Sequence, residues 1–230
     1  MADTTLTPDK FLEKKSPKPA LERVTGPSSP LFAPSLAIIA DSFPAAERLP
    51  IQRLARLLAG DDYRLYSLTA SGDVTAVALL YLSVARPFAL LDYMAVRADL
   101  RGKGNGSTLF REVVNTLRGE RPLAEWLLLE VDDDREGSEE QRGANSRRIQ
   151  FYRRLGARLL ANVPYRFPSP SGVDVPMRLM AYGLREEAMP SPQALGSAVE
   201  DMFAQIHARN ESDPLLRWIL ANLPPALILQ

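Results

Sequence analysis

The segment from Arg101 to Ser107 has the residue types and spacing of an anion-binding turn. It joins an apolar segment, typical of a buried strand, to a segment with the periodicity of an amphipathic helix. Glycine adopts positive φ and lets a ligand approach the backbone, and the first amides of a helix favour an anion. Because Arg101 and Lys103 add positive charge, the pattern indicates a phosphate or pyrophosphate site. Its residues are Arg101, Gly102, Lys103, Gly104, Asn105, Gly106 and Ser107.

The glycine spacing of this segment argues against two common nucleotide-binding motifs. A P-loop needs GxxxxGK followed by Ser or Thr, and the sequence has no such spacing. The dinucleotide fingerprint GxGxxG belongs to a parallel βαβ unit, whereas these glycines are spaced GxGxG after strands whose turns predict antiparallel pairing. Two alternatives stay open: another kind of phosphate site, and a solvated turn whose glycines only cap a helix.

The residues around the turn resemble two motifs of the GNAT superfamily of acyl-CoA N-acyltransferases. The segment LLDYMAVRADLRGKGNGSTLF resembles the strand, glycine-rich loop and helix of motif A. Downstream, LLLEV and NSRRIQFYRRLGA resemble the strand and helix of motif B. The two motifs follow each other in the family's order, and the resemblance covers about residues 32–187. It implies the GNAT fold and acetyl-CoA as the co-substrate.

The resemblance also implies which residues would hold coenzyme A. Amides of the 101–107 turn would bind the pyrophosphate. The backbone of strand residues Met94, Ala95 and Val96 would bond the pantetheine arm, and the Met94 N–H would polarise the thioester carbonyl as an oxyanion donor. Asn145 matches the asparagine that opens motif B and is expected to contact the same co-substrate.

Tyr152, Glu130 and Asp92 are the candidates for proton transfer. Tyr152 matches the tyrosine of the family's FYxxLG, which lies near the sulfur and protonates the leaving thiolate; the alternative is a packing or binding role. Glu130 lies in an apolar strand, where an acid is costly without a partner or a role. The resemblance implies a base acting through water, and the alternative is a paired or edge-facing glutamate. Asp92, in LLDYM, is the second candidate base.

The helices and strands predicted around these residues indicate an α/β (α+β) fold. It has a mixed, mainly antiparallel sheet with helices on both faces. An acidic loop is expected over 132–143, between a predicted strand and a predicted helix. Its negative charges either attract a cationic amine or are simply solvated. Helices are predicted at 35–43, 51–59, 107–119 and 146–155, and strands at 63–70, 74–84, 88–96, 125–131, 157–167 and 175–184.

Three regions are expected along the chain. Residues 1–30 are rich in proline and poor in apolar periodicity, which predicts a mostly disordered tail. Residues 31–187 form the GNAT-like domain. Residues 188–230 form a C-terminal helical extension of two helices with apolar stripes. That apolar surface predicts docking on the chain's own domain or on a second copy, so a homodimer is one partner that the sequence allows.

The composition argues against several other classes of protein. There is no cysteine and one histidine, His207, so a thiolate nucleophile is excluded, as are cysteine-ligated and multi-histidine metal sites, and no metal is expected. The 28 basic residues balance the 28 acidic ones, which gives no cationic field for nucleic acid or anionic lipid. No apolar run approaches the ~18–20 residues that cross a bilayer, and no signal peptide is evident. We therefore expect a cytoplasmic protein without nucleic-acid or membrane partners.

These features together predict an enzyme. The expected reaction is transfer of an acetyl group from acetyl-CoA to a primary amine, of a small molecule or a protein, by direct attack. The absence of cysteine is consistent with a reaction that needs no covalent enzyme intermediate. The alternative is a non-catalytic acyl-CoA-binding or regulatory module of the same fold, which would keep the 101–107 turn without needing Tyr152 or Glu130.

Overall fold

A computed structural model describes residues 18–168, 174–186 and 188–230. Within these ranges the chain forms a sheet of eight strands with helices packed on it. The strands are β1 (Ala20–Val24), β2 (Tyr63–Ala70), β3 (Asp73–Leu82), β4 (Phe88–Val96), β5 (Trp126–Asp132), β6 (Arg158–Leu159), β7 (Tyr165–Phe167) and β8 (Val175–Gly183). The α-helices are α1 (Phe32–Ser42), α2 (Ile51–Leu58), α3 (Asn105–Glu120), α4 (Glu139–Arg154), α5 (Pro192–Asp201) and α6 (Pro214–Ala221).

The strand order places β4 and β5 side by side in the middle of the sheet. The order is β1-β2-β3-β4-β5-β8-β6, and β7 also pairs with β8. The pairing of β4 with β5 is parallel, and the other pairs are antiparallel. This confirms the mixed, mainly antiparallel sheet that the sequence predicts. The central parallel pair becomes important for the site, because α3 must cross over between its two strands.

Helices cover both faces of the sheet, as predicted. Alternate residues of β3 belong to different core clusters: Leu79 packs with α1, α2 and α5, whereas Leu80 packs with α3 and α4. Such alternation follows from the two-residue period of a strand. It explains why β3 from Ala76 onwards and the first half of β4 are apolar on both faces.

Two segments differ from the sequence-based expectations. Residues 20–24, expected in a mobile tail, form β1, which pairs antiparallel with β2; residues 1–17 lie outside the described residues. The acidic segment expected to be a loop to residue 143 becomes helical at Glu139. Ser138 and Gln141 form a capping box there, in which each side chain accepts from the other's backbone N–H. The first turn of α4 thus carries acidic residues, which its dipole favours.

The two closing strands also differ in detail from the expectation. The predicted strand over 157–167 is divided into the short strands β6 and β7, whereas the second predicted strand is continuous as β8. The PSPSG turn predicted between them lies mostly outside the described residues. The isolated pairing of Leu160 with Leu229 adds the end of the chain to this edge of the sheet.

The C-terminal extension (188–230) docks on the chain's own domain. Ser191 accepts from the Ala194 N–H at 3.1 Å and caps α5, and Asp213 caps α6 in the same way. Between these helices the chain forms a π-helix, Met202–Ile206. The apolar stripe predicted from the sequence is buried in the core that α1 and α2 also cover. Its members are Leu195, Ala198, Val199, Met202, Phe203 and Ile206.

Candidate active site

The parallel strands β4 and β5 separate at the centre of the sheet. They pair from Phe88 and Trp126 to Leu91 and Leu129, and both strands continue beyond that point. The next residue of β4, Asp92, lies at a β-bulge where the register with β3 shifts. Beyond the bulge, β4 remains paired with β3 on one edge only. The opposite edge of β4 is therefore left with backbone groups that face an opening in the sheet.

A cavity of about 610 Å³ occupies this opening. The second candidate base, Asp92, lines it together with most of the residues predicted for donor binding and proton transfer. Those residues are Met94, Ala95, Val96, Arg101, Gly102, Gly104, Gly106, Ser107, Glu130 and Tyr152. The fold thus brings the two sequence motifs, which are separated along the chain, into one cleft.

Two glycines of the turn have backbone conformations that other residues rarely adopt. The φ angle is +73° at Gly102 and +84° at Gly104, and a Cβ built on either would meet nothing within 4 Å. Gly104 precedes α3, so the helix itself supplies no acceptors for the amides of Asn105, Gly106 and Ser107. The glycines therefore set the backbone conformation and also leave open space beside these amides.

Arg101 and Gly106 fix the position of the turn against its neighbours. The Arg101 Nε donates to the Val96 carbonyl at 3.1 Å, and its Nη2 donates to Ser42 Oγ at 3.1 Å. A Cβ on Gly106 would lie 3.3 Å from the ring of Phe151, so a side chain here would crowd α3 against α4. Arg101 brings positive charge to the cleft wall, because it is one of the residues that line the cavity.

The side chains of Lys103 and Asn105 brace the turn from outside the cavity lining. Lys103 Nζ donates to the Asp99 carbonyl at 3.0 Å. Asn105 Nδ2 donates to the Leu100 carbonyl at 3.1 Å. Neither residue is among those that line the cleft. Their contribution to anion binding would come from the backbone amide of Asn105 and from the positive charge of the exposed Lys103 side chain.

Asn145 lies away from this cleft. Its Nδ2 donates to the carbonyl of Asp133 at 3.1 Å, and it lines a separate surface depression with residues of the acidic segment. The expectation that it contacts the co-substrate gains no support from this placement. Its side chain instead connects the middle of α4 to the segment that follows β5.

Tyr152 presents its hydroxyl to the β4 side of the cleft. The residue is buried, and its hydroxyl lies 3.8 Å from Met94 Sδ, the hydrogen-bond acceptor recorded for it. The ring packs against Phe110 and Phe151 at centroid distances of 5.7 and 5.0 Å. Burial raises the pKa of Tyr152 to about 12, and Arg148 opposes that rise. At neutral pH this phenol is a proton donor in a fixed orientation.

Asp92 and Glu130 are the two carboxyl groups of the cleft. Burial raises the pKa of Asp92 to about 7, and the positive charge of Arg53 opposes the rise. Burial also raises the pKa of Glu130 to about 7; the hydrogen bond from the Tyr165 hydroxyl opposes this, and the charge of Asp92 adds to it. Groups that titrate near neutral pH are suited to general-base catalysis.

Several residues of the cleft were not predicted from the sequence. Arg148 and Phe151 line it and precede Tyr152 on α4, Arg148 by one helical turn. The helical period could have indicated Arg148, because residues four apart share a face. Ser42 and Phe43, at the end of α1, carry no motif. Nothing in the sequence signals them.

No protein-family model matches the sequence, and no curated protein matches it. Among solved structures, a protein from Bacteroides thetaiotaomicron assigned to the GNAT acetyltransferases is similar, with a TM-score of 0.66, 18% identity, and coverage of 81% of this chain and 97% of that one. The ribosomal-protein-S18-alanine N-acetyltransferase of Escherichia coli is also similar, with a TM-score of 0.52, 21% identity, and coverage of 75% and 99%.

These similarities establish the fold. A further structure, from Desulfovibrio desulfuricans and assigned to the GNAT family, has a TM-score of 0.55, 20% identity, and coverage of 73% of this chain and 100% of that one. The chain therefore has the GNAT fold of the acyl-CoA N-acyltransferases, as its two motifs predict. In the described ranges, no helix is both long and apolar enough to cross a membrane. The same ranges hold no cluster of three acidic, histidine or cysteine residues suited to a metal ion.

Proposed function

We propose that this protein is an acetyl-CoA-dependent N-acetyltransferase that acts on a primary amine by direct transfer. The observation that carries the proposal is the composition of one cleft. It combines a glycine turn at a helix N-terminus, an unpaired strand edge, a buried tyrosine and two carboxyl groups that titrate near neutral pH. Each of these features serves a different part of acyl transfer from a thioester.

The donor end of the cleft fits coenzyme A by its chemistry. The open space beside Gly102 and Gly104 would admit a pyrophosphate to the amides that begin α3, and Arg101 would add a charge-assisted contact. The unpaired edge of β4 at Met94 and Val96 would bond an extended pantetheine arm as an added strand does. When bound there, acetyl-CoA would supply an activated acyl group.

The protein's own groups would then carry out the proton transfers. A primary amine attacks only when neutral, so Glu130 or Asp92 would accept its proton, directly or through water. The Met94 N–H would donate a hydrogen bond to the carbonyl oxygen as negative charge develops on it. Tyr152 would give its proton to the departing sulfur. The nitrogen would lose its second proton to the tyrosinate as the amide forms, and the carboxylate would release the first to solvent, so that an ammonium and acetyl-CoA give the amide, the coenzyme A thiol and one proton.

Acetyl-CoA consumption in the presence of separate classes of amine would test this proposal. The panel should include small primary amines, lysine-containing peptides and peptides with free N-termini. We expect turnover with one class, and loss of that turnover in Glu130→Gln and Tyr152→Phe. Binding of acetyl-CoA without turnover by any amine would favour the non-catalytic binding module instead.

The remaining expectations stay predictions from the sequence. They are the cytoplasmic location, the homodimer, the absence of nucleic-acid and membrane partners, and the absence of a metal. The acceptor panel bears on none of them.

A further inference from the structure

One hydrogen bond distinguishes Glu130 from Asp92, the other carboxyl group of the cleft. The Tyr165 hydroxyl donates to Glu130 Oε1. Among the residues that the structure describes, this is the one hydrogen bond of the Glu130 side chain, and the Asp92 side chain has none. A donor to a carboxylate stabilises its charged form and restricts its rotation. Of the two candidate bases, Glu130 is therefore the one whose carboxyl group is fixed.

The sheet brings the two partners together across β8. Strand β8 lies between β5 and β7, and its Leu179 pairs with Glu130. Its Met177, two residues earlier, pairs with Tyr165. Paired residues of neighbouring strands, and residues two apart on one strand, point to the same face of a sheet. Glu130 and Tyr165 therefore lie on one face, and the tyrosine ring spans β8 to reach the carboxyl group.

The C-terminal extension holds this tyrosine in place. Tyr165 is 3% exposed and belongs to the same core cluster as Leu216 and Ile219 of α6, the helix that packs on β7. At the other end of β7, the ring of Phe167 makes an edge contact with His207 of the extension, with the ring centroids 5.1 Å apart. The direction of the phenol is thus set by packing and does not depend on a bound substrate.

The hydrogen bond leaves the cleft side of Glu130 open. Glu130 lines the cavity, whereas the buried Tyr165 is not among the lining residues, so the phenol approaches the carboxyl group from the core. Burial raises the pKa of Tyr165 well above 10, and the charge of Glu130 raises it further. The phenol therefore keeps its proton at physiological pH and remains a donor to the carboxylate.

The groups that act on Glu130 come from three elements. Asp92 faces it from β4 and Tyr165 from β7, and Arg148 and Tyr152 line the same cavity from α4. Burial raises the pKa of Glu130 to about 7, the Tyr165 hydroxyl opposes this rise, and the charge of Asp92 adds to it. Loss of the hydroxyl alone should therefore move the pKa of Glu130 upwards.

We propose that Glu130 is the catalytic base and that Tyr165 is its positioning residue, which occupies Oε1 and leaves Oε2 to take a proton from the acceptor amine. The role in catalysis rests on the proposed function, whereas the hydrogen bond between the two residues does not. In the transfer, an N–H bond of the protonated amine breaks and an O–H bond forms at Oε2, directly or through a water molecule. Glu130 then releases this proton to solvent, and Tyr165 keeps its own proton throughout.

The test follows the ionisation of Glu130 by NMR of glutamate labelled with ¹³C at its carboxyl carbon, and it needs neither acetyl-CoA nor an acceptor. The Glu130 signal is identified by its loss in Glu130→Gln. Tyr165→Phe removes the hydroxyl and keeps the ring, so the Glu130 midpoint should rise by on the order of one pH unit. Tyr66→Phe is the matched control, because the buried Tyr66 donates to another glutamate, Glu120, at 2.7 Å. It should leave the Glu130 midpoint unchanged.

An unchanged Glu130 midpoint in Tyr165→Phe would overturn the proposal, because a tyrosine that only packs would lower stability without moving it. A second measurement needs no variant of Tyr165: the Cζ resonance of its phenol should change with the ionisation of Glu130 and lose that step in Glu130→Gln. A resonance that ignores Glu130 would also overturn the proposal.

Kinetics separate this proposal from the proposed function. If amines are acetylated, the acid limb of the kcat/KM profile should move with the Glu130 midpoint in Tyr165→Phe. An unmoved limb would refute the roles of Glu130 and Tyr165 and leave the acetyltransferase activity standing. A raised Glu130 midpoint in a protein that acetylates no amine would instead refute the proposed function, and the catalytic base with it, while Tyr165 would still be the residue that positions Glu130.

Discussion

Asp92 and Glu130 occupy matching positions on two parallel strands: each directly follows the last residue at which β4 and β5 are paired, Leu91 and Leu129. Two acidic side chains at this point would repel each other in a closed sheet. Here the bulge at Asp92 and the separation of the strands place them at the cavity, where burial favours their neutral forms. The pair is thereby suited to take a proton near neutral pH.

The rate of acetyl transfer should fall on the acid side of neutrality. Because the pKa values of both carboxyl groups are raised to about 7, the base form is lost below that pH. We expect kcat/KM to decrease about tenfold per pH unit below the midpoint, and Glu130→Gln to lower it by ~10²–10⁴-fold. Glu125→Gln, an exposed position just before β5, is the matched control. A flat profile between pH 6 and 8 would contradict a carboxylate base.

The same burial should make stability depend on pH. The pKa of Glu130 is raised in the folded protein, so between about pH 4 and 7 the folded state binds more protons than the unfolded state. The contribution of Glu130 to the free energy of unfolding is therefore fully present at low pH and is lost as pH rises through 7. Each such group lowers the free energy of unfolding by at most about 1.4 kcal/mol per pH unit. Measured by denaturant unfolding, this decrease with pH should be smaller in Glu130→Gln. Equal slopes in the two proteins would refute the linkage.

Substitution of Gly104 should abolish donor binding. Gly104→Glu places a negative side chain where the amides of α3 are open, so calorimetry should show loss of acetyl-CoA binding. The φ angle of +84° makes any side chain costly here, by ~1–2 kcal/mol. Gly104→Ala therefore controls for strain, and Gly119→Glu controls for added charge at an exposed position of α3. If Gly104→Glu bound acetyl-CoA with normal affinity, the assignment of this turn to the donor site would be wrong.

Tyr152→Phe should lower turnover much more than it weakens acetyl-CoA binding. The hydroxyl faces the cleft, and loss of a positioned acid typically costs ~10²–10⁴-fold. Single-turnover rates and calorimetry separate the two effects. Tyr182→Phe removes a hydroxyl from another tyrosine that packs on Phe110, outside the cleft lining, and should change neither. Equal rates for Tyr152→Phe and the parent would leave Tyr152 as a packing residue.

The C-terminal extension should be indispensable for folding. Phe203 is fully buried, so Phe203→Ala should lower the free energy of unfolding by ~3–5 kcal/mol, whereas Gln205→Ala, exposed nearby, should have little effect. Deletion of 191–230 should cause aggregation, because it uncovers one face of the sheet core. A soluble truncated protein with the parent's melting temperature would show that the docking contributes no stability.

The sequence by itself determined the features that depend on neighbours along the chain. The glycine turn was predictable because positive φ and a helix start are local properties, and Gly102, Gly104 and α3 have the conformations expected. The position of Tyr152 on a helix, and the apolar strands around it, followed from periodicity and from two motifs in a fixed order. These signals also predicted the GNAT fold.

Only the tertiary structure decided which distant groups meet. The hydrogen bonds from Tyr165 to Glu130 and from Arg53 to the Ile206 carbonyl join elements whose contact depends on how whole helices and strands pack. Residues 20–24 have little apolar periodicity of their own and become a strand because β2 offers its unpaired edge. Asn145, placed by motif alone, is directed to the Asp133 carbonyl instead of the cleft. Periodicity specifies which face of an element is apolar, but the partner of a side chain is fixed only when distant elements are brought together.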